Sequence, residues 1–470
     1  MTDADLCFLT ATQLARRVAQ RELSARDVVG AHLARIEQIN PRVNAIVTLT
    51  ADRALATAAR ADDHQARGAA LGPLHGLPIA HKDLIPTRGL RTTFGSKIFA
   101  DHIPDHDGLI VERLHAAGAI TIGKTNTPEF GAGSQTFNDV FGATRNPYNL
   151  TKTCGGSSGG AAVALATGMA PIADGTDFGG SLRNPASFCN VVGLRPSPGR
   201  VPVWPSPAPW FRLDVQGPMG RTAEDVALIL SAIAGPDGRS PISLPEPGSR
   251  FRHPIERDLR GVRVAWSQSL GGLPVEPAVR AIVTASVKHL EALGCRVDDA
   301  EPDLSDADEI FRVWRAWYYE HALGTLLDAH RAELKDTVIW NIEEGLALDA
   351  RRIGRAARTW SRLEARVRVF FETYEFLALP VCQVPPFDVD VPYVTTIDGV
   401  PMETYLDWMR SCYHISVTGL PALSVPCGFT PDGLPVGLQI VGRPGDDFGV
   451  LQVAHGFEQV AEAGKRRPEI

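Results

Sequence analysis

The sequence lacks several features that would assign it to a specialised class of protein. No stretch of about 18 uninterrupted apolar residues occurs, which excludes an ordinary membrane-spanning helix. The seven cysteines contain no C-x-x-C pair and are odd in number, which argues against a disulfide framework and against a structural zinc site. Basic residues are not in excess, since the formal net charge is −7, so the strongly basic surface of a nucleic-acid-binding protein is not expected.

The composition that remains is that of an ordinary globular protein. Hydrophobic residues make up 44% and charged residues 21% of 470 residues, which is enough to form a large core. Two of the first five residues are aspartates, and a helical pattern follows directly, so no signal peptide is expected. The sequence therefore predicts a cytoplasmic protein with neither a membrane nor a nucleic-acid partner.

Helical periodicity and short apolar runs alternate along the chain, which predicts an α/β fold with a parallel or mixed sheet covered by helices. Ser24 is the expected N-cap that divides the first helical segment in two. The predicted strands are 77–81, 119–122, 170–174, 262–266, 296–299, 376–381 and 436–441. The predicted helices are 10–38, 51–70, 109–117, 160–167, 277–293, 306–374 and 449–461.

Two glycine-rich segments carry the strongest chemical signal. Residues 154–160 (CGGSSGG) and 177–181 (DFGGS) each place serine among glycines. Glycine allows backbone N–H groups to approach a ligand closely, and consecutive amides form a concavity suited to a developing oxyanion. This pattern predicts a hydrolase that uses serine.

Two familiar motifs are present but lack the context that their chemistry requires. Residues 118–125 (GAITIGKT) match the phosphate-binding loop pattern, but 119–122 is apolar and β-branched and is expected to be a strand. Residues 156–160 match the G-x-S-x-G nucleophile elbow, which needs a hydrophobic strand directly before it, whereas 146–153 is expected to be turn and loop. His414 and His455 could complete a triad, but neither has a distinguishing context.

In the segment 76–83 (GLPIAHKD), Lys82 ends an apolar strand, where its ammonium would be partly removed from water. Such burial disfavours the charged form and would bring the pKa from about 10.4 to near 7. For an isolated lysine beside Asp83 an ion pair would be the simpler interpretation. The two glycine-rich serine motifs favour a catalytic lysine over an ion pair.

Taken together, these motifs resemble the amidase signature family, serine hydrolases with a Ser–cis-Ser–Lys triad. The resemblance extends over essentially the whole chain. It rests on Gly76-x-Pro78 leading into Lys82-Asp83, Asn146-Pro147, the 155–160 glycine run, Asp177-x-Gly179-Gly180-Ser181-x-Arg183, Pro185-Ala186, Gly193, Gly217-Pro218-Met219, and the C-terminal segments 419–422 and 433–439.

The resemblance implies a catalytic role for three residues. Ser181 would be the nucleophile, and Ser157, in a cis peptide with Gly156, would be the bridging serine. Lys82 would be the general base, which the chemistry supports because a serine hydroxyl is a weak nucleophile until its proton is removed.

The resemblance also implies the surroundings of the triad. Asp177 and Arg183 would form a structural pair that shapes the oxyanion loop, and Ser158 would hydrogen-bond within its own loop. Phe178 would lie at the floor of the pocket. The oxyanion would be bound by the backbone N–H groups of Phe178, Gly179, Gly180 and Ser181.

The fold implied by the resemblance is a single large α/β domain spanning 1–470, with a twisted mixed β-sheet covered by helices on both faces. Within it we expect N-terminal helices in 1–70, the catalytic core in 72–235, a variable helical segment on the substrate side in 300–375, and a return to the sheet in 376–470.

The implied activity is hydrolysis of linear carboxamides, with a small-molecule amide as substrate and with neither a metal nor another cofactor. The aromatic segment 314–360 favours bulky or aryl amides, and esters or carbamates would share the same tetrahedral intermediate. The alternative is the glutaminase subunit of a tRNA-dependent amidotransferase, although 408–413 lacks the acidic residue expected to bind the glutamine amine. The oligomeric state is left open, and a homodimer is compatible with the sequence.

Overall fold

A computed structural model describes residues 3–470, so that Met1 and Thr2, part of the segment expected to lack a signal peptide, lie outside it. The helices are α1 (Asp3–Cys7), α2 (Ala11–Ala19), α3 (Ala25–Val43), α4 (Ala51–Ala66), α5 (Leu109–Ala116), α6 (Gly159–Ala166), α7 (Arg183–Phe188), α8 (Ala223–Ile233), α9 (Pro277–Ala292), α10 (Ala307–His330), α11 (Asp336–Leu346), α12 (Ala350–Thr373), α13 (Arg410–Thr418) and α14 (Asp447–Ala461). The strands are β1 (Ile46–Leu49), β2 (Pro78–Lys82), β3 (Ile120–Thr125), β4 (Phe137–Asn138), β5 (Gly142–Ala143), β6 (Arg145–Asn146), β7 (Asn149–Thr153), β8 (Ile172–Asp177), β9 (Val192–Arg195), β10 (Val215–Gly220), β11 (Arg263–Trp266), β12 (Arg296–Asp299), β13 (Phe376–Pro380), β14 (Thr396–Ile397), β15 (Val400–Pro401), β16 (Ala422–Phe429) and β17 (Pro435–Gly442).

Eleven of these strands form one sheet in the order β1-β3-β2-β8-β10-β9-β16-β17-β13-β11-β12. The sheet is mixed, since β2 runs parallel to both β3 and β8, whereas β10 is antiparallel to β8 and β9. Three short hairpins lie outside it. The parallel pairing of β2 with β8 is the part of the sheet that positions the candidate site. Parallel strands bring their carboxyl ends to the same side of a sheet.

Successive residues of the strands contribute to different hydrophobic clusters. Ile79 and Val264 belong to a cluster shared with α2, α5, α8, α9 and α14. Their neighbours Ala80 and Ala265 belong to two clusters on the other side, formed with α4 and α6 and with α10, α12 and α13. Because side chains alternate between the two faces of a strand, both faces of the sheet are covered by helices, which confirms the predicted fold class.

Most predicted elements are present within a few residues of their expected limits. Ser24 caps α3, with its hydroxyl accepting a hydrogen bond from the N–H of Asp27 at 3.0 Å. The helix predicted over 51–70 ends earlier, at Ala66, where Gly68 adopts a φ of 74°. The segment 306–374 is helical but divides into α10, α11 and α12.

The structure corrects one expectation about the chain before the serine loop. Residues 146–153 were expected to be turn and loop, but they include the end of β6 and all of β7, which pair as a hairpin. The hairpin is separate from the main sheet, so it does not supply the strand that a nucleophile elbow requires.

Two further structural findings concern the apolar helices and the cysteines. Among residues 3–470 no helix is long and apolar enough to span a bilayer. All seven cysteine side chains are buried, and no disulfide bond links any of them within the described range.

Candidate active site

The pairing of β2 with β8 places the first functional side chains. Ile79 lies opposite Ile172 in parallel register, so the two strands end side by side at Lys82 and at Thr176-Asp177. A lysine and a polar strand end from distant parts of the sequence therefore lie together at the carboxyl end of the sheet.

Lys82 is completely buried, and its amine is surrounded by three hydroxyl groups. Its Nζ lies 2.7 Å from Ser157 Oγ, 2.9 Å from Ser158 Oγ and 2.8 Å from Thr176 Oγ1. The backbone N–H of Lys82 donates to Asp174 Oδ1 at 2.8 Å, which fixes the end of the strand. A neutral amine has two N–H donors and one lone pair, so in that state it must accept a hydrogen bond from one of the three hydroxyls.

Burial lowers the pKa of Lys82 from 10.5 to about 7, although the negative charges of Asp214, Asp177 and Asp174 oppose the shift. A large fraction of the amine is therefore uncharged at neutral pH. This is the state in which a lysine can accept a proton.

The loop that carries Ser157 is held from two sides. The peptide bond Gly156–Ser157 is cis, as the resemblance implies. Ser134 Oγ donates to the carbonyl of Gly156 at 2.5 Å, and Thr136 Oγ1 donates to the carbonyl of Gly155 at 2.9 Å.

Helix α6 begins two residues after Ser157, and a Cβ on Gly160 would lie 2.4 Å from the backbone nitrogen of Asn126. Only glycine allows α6 to start this close to the sheet.

Ser181 and Ser157 line the same cavity, whose volume is about 300 Å³. Ser181 is partly exposed to it, whereas Ser157 is buried. The backbone N–H of Ser158 donates to the carbonyl of Ser181 at 3.2 Å, which joins the two serine loops. Among the hydrogen bonds of residues 3–470 there is none between the two hydroxyls of Ser157 and Ser181, so the last link of the expected proton route is not formed in this state.

The oxyanion loop is organised by a buried carboxylate. Asp177 receives Arg183 Nε at 3.1 Å and Arg183 Nη2 at 3.0 Å, and Arg195 Nη1 lies 3.1 Å from it. Burial opposes ionisation of Asp177, but the two guanidinium groups outweigh it and hold its pKa well below the usual value. The expected Asp177–Arg183 pair is thus present, and Arg195 is an additional member that the motif did not reveal.

One of the four expected oxyanion donors makes a hydrogen bond within its own loop. The backbone N–H of Gly180 donates to Asp177 Oδ1 at 2.9 Å, so it is already used within the loop. Gly180 has a φ of 124°, and a Cβ there would lie 2.6 Å from Cys412 Cβ, so the residue serves the shape of the loop. Phe178, Gly179 and Ser181 line the cavity and remain the candidate donors.

Aromatic side chains form much of the cavity wall. The rings that line it are those of Phe94, Phe130, Phe178, Trp204, Phe311, Tyr318 and Tyr319. The Phe178 ring centroid lies 5.3 Å from that of Tyr318 and 5.9 Å from that of Phe311. Of the aromatic segment 314–360, Trp314 and Trp360 line a separate surface pocket.

Sequence reasoning missed several polar residues of the cavity, among them Thr176, Asp214 and Arg315. Thr176 contacts Lys82, and Asp214 accepts a hydrogen bond from the Tyr318 hydroxyl at 3.2 Å. Burial raises the pKa of Asp214 above its usual value. Thr176 directly precedes Asp177 in β8, which is the one local signal that could have drawn attention to it.

The segment matching a phosphate-binding loop forms strand β3, as predicted. Its Lys124 is buried and donates to Ile85 O at 2.5 Å and Thr87 Oγ1 at 2.9 Å. In the described part of the chain one group of side chains could hold a metal ion, namely Glu224, Glu256 and His455. None of them lines the cavity.

Known proteins that resemble this chain match it over most or all of its length. The family model described as Amidase matches residues 27–451. The chain is 36% identical to an acylamidase of Rhodococcus erythropolis over 473 residues, covering 100% of this chain and 98% of the relative. It is 37% identical to a glutamyl-tRNA(Gln) amidotransferase subunit of Moorella thermoacetica over 492 residues, covering 99% of each.

Solved structures with the same fold include a bacterial aryl acylamidase of the amidase signature enzymes, with a TM-score of 0.89 and 27% identity over 98% of this chain and 99% of that one. A 6-aminohexanoate cyclic dimer hydrolase complexed with substrate has the same TM-score of 0.89 and 27% identity, covering 99% of each chain.

Proposed function

This chain belongs to the amidase signature family and is a hydrolase acting on amides, and we propose that it cleaves bulky or aryl carboxamides through an acyl-enzyme on Ser181. The observation that carries the proposal is the contact of the buried Lys82 amine with Ser157, in a cavity that Ser157 shares with Ser181.

The proposed proton route begins with uncharged Lys82. Its lone pair accepts the proton of Ser157 while Ser157 accepts that of Ser181, and Ser181 Oγ attacks the amide carbonyl. Catalytic hydrogen bonds are often long before substrate binds, so the missing contact between the two serines is compatible with this route. Rotation of the Ser181 hydroxyl toward Ser157 in the substrate complex would complete it.

The tetrahedral oxyanion would be bound by backbone N–H groups of Phe178, Gly179 and Ser181. Each such donor typically contributes about 3 to 4 kcal/mol to transition-state stabilisation. When the C–N bond breaks, Ser157 returns its proton to the leaving amine and recovers one from Lys82. Water then hydrolyses the acyl-enzyme by the same steps in reverse order.

The preference for aryl or bulky amides rests on the cavity wall. The aromatic side chains of Phe178, Phe311 and Tyr318 line the cavity, and such a wall suits an aromatic substrate. The acylamidase relative and the aryl acylamidase structure agree with this assignment. Esters and carbamates pass through the same tetrahedral intermediate and are proposed as secondary substrates.

The alternative function is that of a glutaminase subunit of a tRNA-dependent amidotransferase. The 37% identity to one such protein over 99% of both chains favours it. Hydrolysis of free glutamine at a rate above that of anilides would support the alternative, and the reverse order would support the amidase.

The proposal is tested by measuring hydrolysis of aryl, aliphatic and primary amides, matched esters and carbamates, and glutamine. Ser181→Ala is expected to abolish turnover of all of them. Ser286→Ala is the matched control, because Ser286 is a buried serine of α9 whose hydroxyl donates to Val283 O at 2.7 Å, outside the cavity. Wild-type rates in Ser181→Ala would refute the assignment.

Cytoplasmic location and a homodimer stay predictions from the sequence.

A further inference from the structure

We propose that Arg315 forms a subsite for a carboxylate on the substrate, so that the preferred amides carry an acidic group away from the scissile bond. This inference rests on the proposed function, since it names the substrate class of the same cavity. Arg315 lies on α10, is 5% exposed and lines the cavity together with Ser157 and Ser181.

The charge of Arg315 has no counter-ion in the described part of the chain. Its Nε donates to Asn341 Oδ1 at 3.0 Å, and its Nη2 donates to the hydroxyls of Tyr319 and Tyr405 at 3.1 and 2.9 Å. All three acceptors are neutral. Among residues 3–470 no carboxylate lies within ion-pair distance of Arg315, and no acceptor is found for its Nη1. A buried cation without an anion is unfavourable, and a guanidinium cannot relieve the cost by losing its proton.

Another arginine of the same helix shows the usual arrangement. Arg312 pairs with Asp308 at 2.9 Å and with Asp407 at 2.7 Å. Arg312 does not line the cavity. The arginine that does not line the cavity is therefore neutralised within the protein, whereas the one that lines it is not.

The guanidinium of Arg315 is held in a fixed orientation. Its Cζ lies 4.5 Å from the ring centroid of Tyr319 and 5.5 Å from that of Phe178. Asn341 is itself fixed, since its Nδ2 donates to the Tyr405 hydroxyl at 2.6 Å. A planar, immobilised guanidinium with unused N–H donors matches the geometry of a carboxylate.

Arg315 lines the same cavity as Ser181, so a carboxylate bound to it would belong to the molecule whose amide Ser181 attacks. Phe178, whose ring it contacts, comes three residues before Ser181 in the oxyanion loop. The carboxylate could therefore be carried by either the acyl part or the amine part of the substrate. Both present the same chemistry to Arg315, and two pairs of substrates distinguish them.

The acyl pair is N-phenylsuccinamate and its neutral isostere N-phenylisocaproamide. The amine pair is para-acetamidobenzoate and para-isopropylacetanilide. Release of the arylamine gives kcat and KM for each compound. In the wild-type protein we expect the carboxylate member of one pair to have a kcat/KM at least about tenfold higher, mainly through KM, as for a charge-assisted hydrogen bond.

Arg315→Met is expected to bring that ratio to about one, and Arg315→Lys to retain part of it because the charge is kept without the planar fork. Arg312→Met is the matched control and should keep the wild-type ratio. The ratio is measured within each variant, so a general loss of active protein does not affect it. Equal loss on both members of a pair in Arg315→Met, or no preference in the wild type for either pair, would overturn the proposal.

A binding measurement separates this inference from the proposed function. In Ser181→Ala, thermal-shift titration should give a lower dissociation constant for the preferred carboxylate compound than for its neutral partner, and Arg315→Met should remove the difference. If no anilide is hydrolysed, the proposed function fails, and this titration alone decides whether the carboxylate subsite exists. Equal affinities for both partners would reject it.

Discussion

Replacing Lys82 by methionine should make the protein more stable, and more so in acid than in alkali. Burial lowers the pKa of Lys82 from 10.5 to about 7, against the attraction of Asp214, Asp177 and Asp174. A shift of this size means that the folded state disfavours the ammonium by about 5 kcal/mol. The lysine needed for the proposed chemistry is therefore a cost to the fold.

The pH dependence of that cost follows from the direction of the shift. Below about pH 7 the amine is protonated in both the folded and the unfolded chain, so the whole cost is present. Between about pH 7 and 10.5 the folded amine is neutral while the unfolded one still holds its proton, so the free energy of unfolding rises with pH. The cost to the wild type should be about 3 kcal/mol larger at about pH 6 than at about pH 9.5.

The assay is urea denaturation of the wild type and of Lys82→Met at both pH values. Methionine also removes three hydrogen bonds, but this loss adds nearly the same amount at each pH, so the change between the two conditions isolates the ionisation. Amide hydrolysis by the variant should be abolished at both pH values. A stability difference between the two proteins that is unchanged with pH would refute the idea that Lys82 is held largely uncharged.

Three further outcomes are expected. Thr176→Val removes one acceptor of the Lys82 ammonium, so the acidic limb of a kcat/KM-against-pH curve should move about one unit toward lower pH, and an alkaline movement would contradict this. Arg183→Leu leaves the buried Asp177 with one cation fewer and should lower the free energy of unfolding in urea by about 3 to 5 kcal/mol, whereas a loss under about 1 kcal/mol would contradict the pairing. Phe178→Ala should lower kcat/KM for an anilide about tenfold more than for a small aliphatic amide, and equal losses on both would argue against an aromatic contact.

The strands and helices that follow a simple hydrophobic pattern could be predicted from the sequence. Strand β10 could not, because Val215–Gly220 contains a proline and two glycines, which normally weaken a strand. Helix α13 was missed for a different reason. All residues from Ser411 to Thr418 are buried, including the polar Ser411 and His414, so the helix lacks the exposed polar face by which a surface helix is recognised.

The candidate site was predicted as far as its residues lie in glycine-rich motifs. Ser157 and Ser181 carry such signals, Lys82 was identified at the end of an apolar strand and through the family resemblance, and the structure brings Lys82 and Ser157 into contact. Asp214 and Arg315 lie in segments without a motif, and they reach the cavity only through the pairing of β10 with β8 and the packing of α10. Contacts made by tertiary packing leave no local pattern to read.

The hydroxyl cluster around Lys82 and part of the cavity wall come from separate elements of the fold. Substrate selectivity can therefore change without a change in the hydroxyl cluster. The hydroxyl cluster around Lys82 is built on β2, β8 and the start of α6, deep in the sheet, whereas α10 contributes Phe311, Arg315 and Tyr318 to the wall. Random mutagenesis confined to 311–323 should therefore change which amides are accepted, while the proposed catalytic residues Lys82, Ser157 and Ser181 stay unaltered. Substitutions in α10 would be one route to a changed range of substrates, beside the wall residues Phe94, Phe130 and Trp204 from other parts of the chain.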